Sequence, residues 1–82
     1  MRHPPIIPAR HAQGLAAYRA GHSIAELIGI SEEIDRLHEQ PDLTHEQHSE
    51  IAAAGPSLIA GFADGLIEDI RLLAGARRGQ RA

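Results

Sequence analysis

Apolar residues recur at helical spacing in five stretches of the chain, and glycine or proline separates most of them. Pro8 suits the first position of a helix, because its absent N–H and fixed φ cost nothing there, and the pattern carries that helix to about Ala20. His11, Leu15, Tyr18 and His22 lie near one stripe of it, with Ala12 and Ala16 beside them, and Gly21 ends it. Ser23 followed by Glu26 is a capping-box spacing that opens a second helix carrying Ile24, Leu27 and Ile28. Gly29 interrupts the pattern, and Ser31 can cap a further helix with Ile34 and Leu37 on its apolar side. Pro41 disfavours helical backbone at Gln40 and sets a boundary there.

Thr44 and Gln47 form a second capping box, with Glu46 in the first turn where a carboxylate complements the helix dipole. That helix reaches Gly55, and Pro56 is expected to break the chain and open another helix. From Ser57 to about Gly75 the apolar face is the strongest in the chain, formed by Leu58, Ile59, Phe62, Leu66, Ile70 and Leu73. Glu68 and Arg71 stand opposite at a spacing that allows an ion pair. Asp69 falls at the edge of the apolar face and calls for a partner, such as an Arg or His of another helix or subunit. Ile67 widens the apolar arc, as a second contact surface would require. Gly61 and Gly65, four apart, would let another helix approach closely.

These elements predict an all-α fold, a small bundle of four to five helices with a helix-turn-helix-like N-terminal half. Residues 1–8 read as an extended arm, 9–75 as one helical domain, and 76–82 as a flexible Arg-rich tail. Within the domain, 9–40 is the helix-turn-helix-like part and 44–75 a helical hairpin or kinked helix. Eighty-two residues make one small domain, and burial and chain entropy nearly cancel at that size. Self-association through residues 57–75, as a homodimer, is therefore expected.

Charge divides the chain unevenly. Residues 1–22 carry three Arg and no acid, residues 23–50 eight acids and one Arg, and residues 51–82 three acids and four Arg. No cysteine is present, which excludes disulfides, thiolate metal sites and cysteine nucleophiles. No apolar run approaches the roughly 20 residues of a membrane span, and the N-terminal residues lack a signal-peptide core. A soluble, cytoplasmic protein without membrane association is the expectation.

Ile24-Ala25-Glu26-Leu27-Ile28-Gly29-Ile30-Ser31, with Ala17 to Ser23 before it, resembles the trihelical helix-turn-helix domains of site-specific resolvases and repressors. The resemblance covers residues 10–38. It implies a small Ala that lets the second helix cross closely, a Gly at the turn and a Ser capping the recognition helix. After Ser31 this sequence departs from the family pattern, with Ile34 and Asp35 where Thr and an apolar residue usually stand.

Two functions follow from these residues. One is a small non-enzymatic regulatory protein of helix-turn-helix type that binds DNA as a dimer and acts in transcription regulation. Arg10, Arg19 and Arg36 with Arg77, Arg78 and Arg81 would then contact phosphates. The other is an acidic helical adaptor or inhibitor whose Glu32, Glu33, Asp35 and Glu39 meet a basic protein surface. Those four acids around Arg36 repel phosphates and weigh against DNA binding by that helix. His45 and His48, with His38 near them in sequence, have a spacing that can share a metal, but no third ligand is specified. No phosphate loop, nucleophile elbow or carboxylate pair appears, so neither enzymatic activity nor a cofactor or metal is expected.

Overall fold

The computed structural model describes residues 6–79, with side chains described through residue 76. All of its regular structure is helical: α1 (Pro8–Arg19), α2 (Ile24–Asp35), a 3-10 turn (Arg36–Glu39) and α3 (His45–Gly79). The all-α reading holds. The bundle has three α-helices where four to five were expected, because two of the expected interruptions do not occur.

Local chemistry sets the ends of these helices. Pro8 occupies the first turn of α1. At its other end Gly21 takes φ +88, a left-handed conformation that suits glycine. The N–H groups of Gly21 and His22 return to the carbonyls of Tyr18 and Ala17, closing the last turn. Ser23 and Glu26 form the expected capping box at the start of α2. Thr44 and Gln47 form the second, with the Thr44 N–H donating to Gln47 Oε1 at 2.8 Å and the Gln47 N–H to Thr44 Oγ1 at 3.1 Å.

The turn expected at Gly29 is not formed, and α2 runs through it unbroken. The reason lies on the buried side. Leu27, Ser31 and Ile34 follow i, i+4, i+7, so only a continuous helix turns all three toward α3. A glycine in a helix interior costs about 1 kcal/mol relative to alanine, less than that packing contributes.

The break expected at Gly55-Pro56 is also absent, and Pro56 sits inside α3. Its ring faces outward, while Ala53, Ala54, Ser57 and Leu58 on either side of it are buried. Ser57 Oγ, fully buried, donates to the Ala53 carbonyl at 2.7 Å and accepts the Ile7 N–H at 2.8 Å. Replacing Pro56 by alanine restores a helical N–H, which favours the helix by up to about 3 kcal/mol, while the freer unfolded chain takes back about 1 kcal/mol. Pro56→Ala should therefore raise the melting temperature, a change that thermal circular dichroism reads directly.

α1 and α3 run parallel, since their contacts climb both helices in step: Ile7 meets Ser57, His11 meets Asp64 and Tyr18 meets Asp69. The two backbones cross with glycine on each side. A Cβ on Gly14 would land on the Leu58 carbonyl oxygen, and one on Gly61 on the His11 carbonyl oxygen. Gly65 lies beside the Leu15 and Tyr18 side chains. The close approach expected at Gly61 and Gly65 is thus made by α1. α2 runs back antiparallel, with Leu27 against Leu58 and Phe62 and Ser31 against Gly55. Tyr18 packs edge-on to Phe62, ring centroids 5.2 Å apart.

Candidate functional site

α3 is the longest element, and its 35 residues extend about 52 Å. α1 ends beside Glu68 and Asp69, and α2 begins no higher, so the last turns of α3 project beyond the bundle. This segment is not polar. Leu66, Ile67, Ile70, Leu72 and Leu73 are all exposed, Leu72 and Leu73 by 66% and 64%. Completing their burial would be worth about 4–8 kcal/mol per chain at 1.5–3 kcal/mol for each whole side chain. The chain exposes 6325 Å², whereas a compact monomer of 8.8 kDa exposes roughly 4,800 Å². By length and composition alone α3 is also long and apolar enough to cross a membrane; its best window has mean hydropathy 1.2, with 44% of that window buried inside the bundle.

Charge on α3 is one-sided. Glu50, Asp64, Glu68, Asp69 and Arg71 all project from the half of the helix centred on α1 or next to it. From Ser49 to Ala74 the opposite half carries no charged side chain at all, although Ala52, Pro56, Leu66, Ile67, Ile70 and Leu73 on it are exposed. On α2, the side turned away from α1 adds Ile24 and Ile28, exposed by 44% and 47%. An uncharged face therefore runs along α3 and onto the same side of the first two turns of α2, short of Asp35.

The acids expected to meet a partner lie lower on α2 and the 3-10 turn. Glu32, Glu33, Asp35 and Glu39 are all exposed. Asp35 approaches His38 at 3.7 Å, and among the described residues Glu32, Glu33 and Glu39 form no ion pair. Arg36 sits exposed among them.

The basic residues do not gather. Arg10 donates to Gln13 Oε1 at 3.0 Å and borders a cleft of about 370 Å³ with Ile34, Leu37 and Glu50. Arg19 is at the far end of α1, 3.7 Å from Glu68, which takes the place of the Glu68–Arg71 pair expected from spacing. Arg81 lies outside the described residues. Arg77 and Arg78 fall on the last turn of α3, where side chains are outside the description as well.

Tyr18, which spacing alone did not single out as a partner for a carboxylate, donates its hydroxyl to Asp69. That bond, burial and the carboxylate's charge together hold the phenol above its ordinary range. His22 and Ser23 hold the Glu26 carboxyl below its ordinary range, the hydrogen bond from His22 contributing most. Linkage gives the sign for Glu26: its contribution is present above the usual glutamate range and fades as pH falls through the lowered value.

His38 and His48 face each other with Nδ1 atoms 2.8 Å apart and rings stacked at 5.1 Å, which ties the 3-10 turn to the start of α3. His45 takes no part in that pair. Among the described residues no group of three or more His, Asp or Glu is placed to hold a metal ion. Comparison with family models, curated proteins and solved structures returns no match for this chain.

Proposed function

We propose that the protein is a non-enzymatic helical adaptor that docks a basic protein surface on the acidic strip of α2 and the 3-10 turn. The observation that carries this reading is the state of Glu32, Glu33 and Glu39, which project into solvent and, among the described residues, form no ion pair. Four carboxylates against the single Arg36 within eight residues, beside a helix anchored by Leu27 and Ile34, present a predominantly negative field. Such a field steers and orients a positively charged partner more than it stabilises this fold.

The other reading, a helix-turn-helix regulator that binds DNA, draws less support. Its recognition helix would need the turn at Gly29 that α2 passes through, and its phosphate-facing side would carry the same acids. Arg10, Arg19 and Arg36 are spread over the two ends of α1 and the foot of α2 rather than along one groove-facing line.

A titration at low salt separates the two. The labelled protein is expected to bind an arginine-rich peptide, with affinity that falls steeply as salt rises, and Glu32→Lys with Glu33→Lys should remove most of that binding while leaving helicity intact. A shift of mixed-sequence duplex DNA by the wild-type chain, with no response to the peptide, would reverse the assignment.

A further inference from the structure

We infer that the uncharged face of α3 and α2 is the interface of a parallel, two-fold homodimer. This is independent of the acidic-strip reading, because it uses the uncharged side of α3, where Leu66, Ile67, Ile70 and Leu73 are left exposed by the described residues.

The pattern on that face is a heptad. Ile59, Leu66 and Leu73 are seven residues apart, and Ala63 and Ile70 stand four residues after the first two. In coiled-coil register these are d positions and a positions, with Leu at two of three d sites and a β-branched Ile at a. That combination favours two parallel strands. The seam spans about 21 Å of helix. It begins where α2 still flanks α3 and continues past the point where the bundle ends.

Two-fold symmetry explains the remaining exposed residues. A second α3 laid along this seam lies in the groove between α3 and α2, on the side of α2 that carries Ile24 and Ile28. By the same symmetry the partner's α2 flanks the other edge of this α3, where Ala60 and Ile67 project. Ile67 is 44% exposed in the single chain. The result is a layer of four helices with both α3 helices inside.

A second copy fits better than a different protein or a lipid surface. The face has no charge with which to select an unlike partner, whereas its heptad is complementary to itself. The whole chain exposes roughly 1,500 Å² more than a compact monomer of its mass, and this face needs to supply only part of that to reach the roughly 800 Å² per partner of a standard interface. A membrane segment would be apolar all round, yet Glu68, Asp69 and Arg71 crowd the other half of the same turns.

The test uses the full chain. Light scattering across a hundredfold dilution is expected to report twice the 8.8 kDa chain mass, insensitive to added salt. Ile70→Glu and Leu73→Glu, at positions more than half exposed in the single chain, should weaken association roughly a hundredfold or more and leave circular dichroism unchanged. The chain has no cysteine, so Leu73→Cys is a clean reporter. Across a parallel seam it should oxidise to a disulfide dimer, while Arg71→Cys on the charged side should not. A monomer mass at every concentration, a dimer indifferent to both glutamate variants, or a dimer in which Leu73→Cys fails to cross-link would each overturn the proposal. So would a monomer that instead co-sediments with phosphatidylcholine vesicles.

Discussion

Gly61→Ala is expected to destabilise the protein by about 3 kcal/mol or more, and Gly14→Ala by a similar amount. In most helices this substitution does the opposite, since alanine is favoured over glycine by about 1 kcal/mol. The reversal comes from what the new methyl group meets. At Gly61 it collides with the His11 carbonyl and comes within 3.0 Å of the Leu15 nitrogen; at Gly14 it collides with the Leu58 carbonyl and comes within 3.0 Å of the Phe62 nitrogen. These are backbone atoms of the facing helix, so no rotamer change relieves the clash and α1 must move away from α3. Separation exposes Tyr18 and Phe62 and lengthens the bond from Ile7 to Ser57. A domain this small has about 3–5 kcal/mol from its core, so either variant should be largely unfolded or have α1 detached. Gly29→Ala is the control. Nothing lies within 4 Å of its methyl group, and urea unfolding should show it slightly more stable than wild type. Because Gly14 and Gly61 occupy one crossing, the double variant should cost less than the sum of the two.

That crossing also shows how much of the fold could be read from residues alone. The helix ends were legible, because capping is local: Ser23 with Glu26, Thr44 with Gln47, and Gly21 each act within one turn. Gly61 and Gly65 announced a close neighbour by their spacing, though not that α1 would be the neighbour. The interruptions were misread for a common reason. Gly29 and Pro56 carry a local preference for ending a helix, yet both face outward from residues whose periodicity continues through them, and tertiary packing outweighs about 1–3 kcal/mol of propensity. The candidate site divides the same way. That the acids at Glu32, Glu33, Asp35 and Glu39 face outward followed from helical spacing, and so did the exposure of Ile67. The Tyr18–Asp69 and Arg19–Glu68 contacts did not, because they depend on the parallel pairing of α1 with α3, and no local pattern encodes which of two helix directions a loop will permit.

Leu58→Ala is expected to cost about 2–5 kcal/mol, at the upper part of that range. Leu58 is 0% exposed and Leu27, packed with it, 1%. With Phe62 they make up the buried cluster, and Ala17, Tyr18 and Ile59 are the partly buried apolar residues that pack against it among the described residues. Few large side chains are near enough to fill the space a lost isobutyl group leaves. The α1 and α3 backbones also already approach closely at Gly14 and Gly61, with no room even for a methyl group between them, so the two helices have little space to close onto the cavity. Leu27→Ala empties the same space from α2 and should behave alike. Leu73→Ala supplies the contrast. That side chain is 64% exposed in the single chain, so its loss should hardly change the unfolding of a monomer. If α3 pairs along its uncharged face, however, Leu73→Ala lowers stability more at high protein concentration than at low, since it removes only what association adds. Leu58→Ala destabilises the bundle itself, so its unfolding midpoint should be depressed at every concentration. Denaturant titrations of both variants at two protein concentrations therefore distinguish residues that hold each bundle together from residues that hold two bundles to each other.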